Sequence, residues 1–179
     1  MAFNANLVYL IFLLILNTGC VKKNTVSMSV LITSKGITYF NQQPFSGIGS
    51  DSYGNNQKQL EINYRDGKKH GEIYSWYPSG QIKEEGVYKK GKKIGIHLGF
   101  WANGNLRFKK NFNLGLLSGE QNQWHKNGIL ARLSNYSEGK EQGQQKGWRN
   151  NGDLRYNYQM INNRRYGFMG SKTCVPVEM

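Results

Sequence analysis

Downstream of residue 63 the chain is a succession of short runs in which apolar and polar residues alternate. In one run Ile82, Glu84, Gly86 and Tyr88 are expected to share a side, with Gln81, Lys83 and Glu85 on the other. The same alternation sets Leu106, Phe108, Lys110 and Phe112 against Asn105, Arg107 and Lys109. It also sets Leu154, Tyr156, Tyr158 and Met160 against Asp153, Arg155 and Asn157. A side-chain period of two marks a strand with one covered face. Leu130, Arg132, Ser134 and Tyr136 keep the pattern, but Ile129, Ala131 and Leu133 opposite them are apolar too, which predicts a strand covered on both sides. Each run is preceded by another in which Tyr74 and Trp76, or Ile96, Leu98 and Phe100, share a face. Runs of about six to eight residues suit strands and are too short for helices.

The runs recur. Tyr64, Tyr88, Phe112 and Tyr136 are 24 residues apart, and Met160 continues the series. Gly67, Gly91, Gly115 and Gly139 keep the same step, as do Gly71, Gly95, Gly119, Gly143 and Gly167. So do Trp76, Phe100, Trp124 and Trp148, then Gly80, Gly104, Gly128 and Gly152, then Ile82, Leu106, Leu130 and Leu154. A fixed period of this length is an internal repeat. A worn first copy starts at Phe40, with Gly47 in register and Tyr53 near the aromatic position. Turns follow Tyr64 (Arg65-Asp66-Gly67-Lys68) and its equivalents, and follow Trp76 (Pro78-Ser79-Gly80) and its equivalents (Asn103-Gly104, Asn127-Gly128, Asn151-Gly152). Asn-Gly predicts a type I′ hairpin turn, in which both central residues take positive φ. The expected fold is all-β: an antiparallel meander of 24-residue hairpins forming one elongated, twisted sheet. Val26, Met28, Val30 and Ile32 alternate with mostly polar residues and predict a capping strand over residues 26–39, before repeats over 40–159 and a capping segment over 160–179.

The first residues read differently. Residues 7–16, LVYLIFLLIL, are continuously apolar. Ten residues of helix reach about 15 Å, half of a bilayer's hydrocarbon core, which fits the apolar part of an export signal. Asn17, Thr18, Gly19 and Cys20 follow, and small residues before a Cys resemble the lipobox of bacterial lipoproteins. That resemblance implies a signal over residues 1–19, lipidation of Cys20, a tether over 20–25, and a lipid-anchored protein of the cell envelope, with the outer membrane as the expected address. Lys22 and Lys23 then lie where they can rest on anionic headgroups.

The repeated residues resemble the bacterial variant of the MORN repeat, with its Y-x-x-G-K-x-x-G opening and W-Y-x-N-G-x-L centre. The unit from Tyr64, YRDGKKHGEIYSWYPSGQIKEEGV, carries the resemblance best, and the units from Tyr88, Phe112 and Tyr136 follow with weaker agreement. Phe100-Trp101 replaces Trp-Tyr, and Trp124-His125 and Trp148-Arg149 lack the second aromatic. The likeness covers roughly residues 40–170. It is similar to proteins called YwqK-family antitoxins of toxin–antitoxin systems, a likeness that implies binding and not catalysis. Eukaryotic MORN proteins are associated with scaffolding and membrane contact.

Composition narrows the chemistry. The chain has 179 residues, 24 Lys plus Arg against 11 Asp plus Glu, and a formal charge of +13. Ten of the basic residues fall in or beside one class of turn: Arg65, Lys68, Lys69, Lys89, Lys90, Lys92, Lys93, Lys140, Arg164 and Arg165. They predict a basic rim, which either keeps the sheet soluble or takes anionic lipid headgroups, lipopolysaccharide or an acidic protein. In the third such turn Leu114, Leu116 and Leu117 stand instead, a candidate protein contact. His70, His97 and His125 occupy different repeat offsets, so no metal site is expected, and they read as exposed turn or strand residues. No catalytic constellation, phosphate-cradling loop or cofactor motif is found, and neither nucleic acid nor a small-molecule substrate is expected. A minor alternative is an accessory subunit of an enzyme working through Cys174 or His97. The leading expectation is a non-enzymatic, membrane-anchored scaffold for a protein or envelope partner, with the basic rim as a headgroup platform as its rival.

Overall fold

The computed structural model describes residues 24–169. The signal segment, Cys20, and Cys174 with the rest of the C-terminal tail lie outside the described residues. Strand β1 (Thr25–Ser27) leads into a single 3-10 turn (Met28–Val30) and a small antiparallel sheet of β2 (Ile32–Ser34), β3 (Ile37–Phe40) and β4 (Gln43–Pro44). The large sheet then runs β5 (Gly47–Ser52), β6 (Lys58–Arg65), β7 (Lys68–Trp76), β8 (Ile82–Lys89), β9 (Lys92–Phe100) and β10 (Leu106–Asn113). It continues with the two-residue β11 (Leu116–Leu117), then β12 (Gly119–Trp124), β13 (Leu130–Ser137), β14 (Lys140–Trp148), β15 (Leu154–Ile161) and β16 (Arg164–Phe168). Each strand from β5 onward pairs antiparallel with its sequence neighbour, β11 lying off the path against β10, while β1 pairs parallel with β5, so the sheet is mixed and open at both ends. Residues 26–39, expected as one capping strand, instead form a short parallel strand, a 3-10 turn and most of a hairpin.

The turns exchange the roles their sequences predicted. Along the rim of the large sheet the two-residue turns with positive φ at both positions are Asp66-Gly67 (50° and 72°), Lys90-Gly91 (50° and 83°), Leu114-Gly115 (48° and 93°), Glu138-Gly139 (49° and 80°) and Asn162-Asn163 (50° and 61°), and the small sheet has two more, Lys35-Gly36 and Asn41-Gln42. These are the type I′ turns. At the opposite end of the strands Gly104 N–H donates to Trp101 O at 2.9 Å and Gly128 N–H to His125 O at 2.9 Å, with positive φ at the glycines and not at Asn103 or Asn127. Those loops are one residue longer, with the left-handed residue placed after a type I turn. The Asn side chains serve a different purpose there: Asn103 Oδ1 accepts from Asn105 N–H at 3.2 Å and Asn127 Oδ1 from Ile129 N–H at 3.2 Å.

The longer loop brings a register shift that overturns the predicted faces. Ser75 pairs with Glu84 but Trp76 pairs with Ile82, and the shift recurs at Gln123/Trp124 and Gly147/Trp148. An extra residue in one strand turns the following side chains over. Ile82 therefore sides with Trp76, and Leu130 with Trp124, on the face opposite Glu84 and Arg132. One face, called the front, carries the cross-sheet row Glu84, Gly99, Phe108, Gln123, Arg132, Gly147 and Tyr156, each the register partner of the next. The back carries Tyr74 and Trp76, stacked at 5.8 Å.

A sheet of this kind has little interior. The apolar core is Phe45, Ile62 and Tyr64, backed by Val26, Met28, Leu31, Phe40, Leu60 and Ile73. It sits at the N-terminal end, where the 3-10 turn folds over the front face and Met28 and Leu31 lie against Gly49. A Cβ at Gly49 would meet both side chains, so the cap needs glycine there.

Candidate functional site

The type I′ turns stack along one rim. Each turn glycine donates its N–H to the preceding unit: Gly67 to Phe45 O at 2.9 Å, Gly91 to Lys69 O at 2.8 Å, Gly115 to Lys93 O at 2.8 Å and Gly139 to Leu117 O at 2.9 Å. The rim residues then divide by face. Lys69 and Lys93 turn inward on the front and are half-buried, their ammonium groups 5.4 Å and 4.9 Å from the ring centres of Tyr88 and Phe112. Arg165 is exposed and lies 5.1 Å from the Tyr158 ring. Such contacts contribute about 0.5–1 kcal/mol each at exposed sites. Arg65 pairs across its turn with Lys68, and Lys89 with Lys92, on the back. These four, with Lys90, Lys140 and Arg164, are exposed. Among the described residues the ion pairs are Lys58–Glu61, Arg107–Glu84 and Arg132–Glu141, so none of the rim cations has a carboxylate partner. Like charges directly opposite across a hairpin cost stability. Leu114 and Leu116 are 59 % and 51 % exposed, while Leu117 pairs with Phe112 and is half-buried.

Behind the rim, His97 is 5 % exposed, contrary to its reading as an exposed residue. Its ring fills the space over Gly86, stands edge-on to Tyr88 at 5.6 Å and to Phe112 at 4.9 Å, and its Nε2–H donates to Val87 O at 3.0 Å. The acceptor lies at a second register shift, between Glu85 and Val87, which frees backbone groups from the ladder. One unit on, Gln121 Oε1 accepts from Asn111 N–H at 2.8 Å and its Nε2 donates to Asn111 O at 3.1 Å. Two units on, Gln145 Nε2 donates to Asn135 O at 2.8 Å. The column His97, Gln121, Gln145 thus repairs the same irregularity in three repeats. Burial lowers the His97 pKa, partly offset by its bond to Val87, and Lys93 lowers it further. An enclosed, bonded imidazole of this kind is a structural group.

At the far end, opposite the rim, a second column ties unit to unit. Tyr53 Oη–H donates to Trp76 O at 2.8 Å, Tyr77 Oη–H to Phe100 O at 2.9 Å, Trp101 Nε1–H to Trp124 O at 3.1 Å, and His125 Nε2–H to Trp148 O at 3.0 Å. Trp101 and His125, which stand where Tyr53 and Tyr77 stand in earlier units, change the donor and keep the bond. Asn103 Nδ2 and Asn127 Nδ2 add parallel bonds to Lys126 O at 2.9 Å and Asn150 O at 2.7 Å.

Near this end the front face holds an open groove of about 560 Å³ between Trp101, Arg107, Phe108, Lys110 and Gln123, with Glu84 at its side. The Arg107 guanidinium lies over the rings of Trp101 (5.7 Å) and Phe108 (5.1 Å) and is ion-paired with Glu84. The Lys110 ammonium lies 4.9 Å from the Phe108 ring centre on the same strand. Burial pushes the Lys110 pKa down, and Lys93, Arg107 and Arg132 push it further while Glu84 opposes them. Sequence reading missed both His97's role and this groove. Its one available signal was the break in the column Gly86, Lys110, Ser134, Tyr158, where a lysine enters a buried register.

No helix of the described residues is long and apolar enough to cross a membrane, and no group of three or more His, Cys, Asp or Glu gathers among them. No curated protein matches the chain. The family model of the MORN repeat variant matches residues 69–90, the stretch from β7 through β8 to its rim turn, so this hairpin is a MORN repeat variant.

Proposed function

We propose that the protein is a non-enzymatic repeat scaffold, anchored to a bacterial envelope membrane through lipid on Cys20, whose basic rim lies on anionic headgroups. The observation that supports it is the placement of Arg65, Lys68, Lys89 and Lys92: exposed, without carboxylate partners, and side by side on one face of the rim. The chain enters the sheet at this same place. Asn24 O accepts from Ile48 N–H at 2.8 Å, and Gly47, one residue before Ile48, pairs with Tyr64 next to Arg65. A tether emerging there holds the cationic turns toward the membrane, where each basic residue contributes about 1 kcal/mol against an anionic surface. The sheet faces then remain for a protein or envelope partner. A protein contact at Leu114 and Leu116 is favoured by their exposure in a rim that is otherwise charged. The antitoxin-like role rests on similarity of the repeat alone.

The test is cosedimentation of the unlipidated Cys20→Ser chain with phosphatidylglycerol vesicles. Binding is expected at low salt and lost at high salt. Changing Arg65, Lys68, Lys89 and Lys92 together to Gln removes about 4 kcal/mol of attraction, roughly a thousandfold in affinity. Binding that survives either change refutes the basic-rim reading. Loss of a protein partner on changing Leu114 and Leu116 to Ser, with vesicle binding kept, supports the second contact.

A further inference from the structure

The front-face groove lies at the end of the strands away from the rim, and its chemistry is different. Its cations are fixed, not waving: Arg107 is held over two rings and Lys110 over one of the same rings. The one carboxylate in its lining, Glu84, is ion-paired with Arg107. Lys93, Arg107, Lys110 and Arg132 all bear on this stretch of the front face, so the positive charge exceeds the negative. The Nε–H of Arg107 is buried and unbonded, a donor left over beside the groove. Holding Lys110 charged in a partly desolvated position costs stability, and an anion placed beside it removes that cost. The cavity is far larger than a bare oxyanion and is of the size that takes a small organic ligand. Around the Trp101 and Phe108 rings stand the Glu84 carboxylate and the Gln123 amide, hydrogen-bonding groups suited to hydroxyls.

We propose that this groove is a binding site for a sugar carrying an oxyanion, phosphate or carboxylate, with Lys110 and Arg107 as the anion contacts and Gln123 and the ring edges against the sugar. The site is independent of the rim. It uses none of the rim's exposed cations, and it stands or falls whether or not the protein meets a membrane.

Isothermal titration of the Cys20→Ser chain at low ionic strength separates the ideas, with inorganic phosphate, a hexose 6-phosphate and a hexuronate as probes. Saturable one-to-one binding of the hexose phosphate or the hexuronate, tighter than that of inorganic phosphate, is the expected result. Lys110→Met should weaken it about tenfold or more, the worth of one charge-assisted hydrogen bond. Lys110→Gln is a second neutral variant should Met alter the melting temperature. The fourfold rim variant should bind the sugar probes unchanged, and Lys110→Met should bind vesicles unchanged. The response to the two sugar probes decides whether phosphate or carboxylate is the preferred group. Absence of saturable binding, equal affinity in wild type and both Lys110 variants, sugar binding no tighter than phosphate, or loss of binding in the rim variant overturns the proposal.

Discussion

Replacing Gly86 with Ala tests the way in which His97 is held. Gly86 is not among the residues with positive φ, so its backbone accepts alanine without strain. The obstacle is steric: the three atoms nearest to an added Cβ all belong to the His97 ring and all lie inside contact distance. Either the methyl is forced in, at about 1–3 kcal/mol for overpacking, or the imidazole leaves. Leaving forfeits the bond to Val87 O, about 0.5–1.5 kcal/mol, and the edge contacts at 5.6 Å to Tyr88 and 4.9 Å to Phe112, about 0.5–1.5 kcal/mol each. The expected loss is about 2–4 kcal/mol, or roughly 4–16 °C in melting temperature for a chain of this size. The sister units show what restores it, because Gln121 and Gln145 do the same work with a flexible side chain. In urea melts followed by circular dichroism at pH 7.5, His97→Gln in the Gly86→Ala background should recover at least about 1 kcal/mol, measured as the coupling energy of a double-mutant cycle. A loss under about 0.5 kcal/mol for Gly86→Ala, or strict additivity of the two changes, refutes the argument.

Burial lowers the His97 pKa in the folded state, so the unfolded chain binds the extra proton. Stability is complete above the unfolded value near 6.5 and falls as pH drops below it toward the folded value; melts at pH 7.5, 6.5 and 5.5 should show the decline, and His97→Gln should reduce it. Tyr77→Phe removes the 2.9 Å bond to Phe100 O and should cost about 0.5–1.5 kcal/mol by urea denaturation. Tyr53→Phe should cost a similar amount, and the two losses should add. Gly99→Ala and Gly147→Ala push a methyl into the rings of Phe108 and Tyr156 and should each cost about 1–3 kcal/mol, whereas Gly54→Ala, with nothing within 4 Å of its added Cβ, should change the melting temperature by little.

The period, the strands and the hairpin order were legible because they depend on local spacing, and a 24-residue step states itself several times over. The faces were not. A strict alternation assumes an unbroken ladder, and the shift between Ser75 and Trp76 hands Ile82 to the side opposite Glu84. The type I′ turns were assigned to the wrong end because Asn-Gly is shared by two turn types, and loop length, which decides between them, depends on where pairing stops. Lys69 and Lys93 stand beside the rim turns, and their ring contacts arise between units and carry no mark within one unit. His97 looked isolated because its column mixes Ile73, His97, Gln121 and Gln145, four side chains matched in place more than in type. Phe108 and Lys110 already shared a predicted face, but Arg107 was placed opposite them, and it reaches the same ring beside the register shift between Leu106 and Phe108.

The donors of Tyr53, Tyr77, Trp101 and His125 all reach forward by 23 residues to a main-chain oxygen. Since the acceptor is never a side chain, this column of bonds makes no demand on which unit follows. Excising residues 88–111 leaves Tyr77 facing the carbonyl of Trp124 in place of that of Phe100, and shortens the molecule by two strands, about 9.5 Å. Duplication lengthens it by the same amount. As far as this column is concerned span is adjustable by whole units, and the demands on which units adjoin come from matched pairs such as Gly86 with His97 and Glu84 with Arg107.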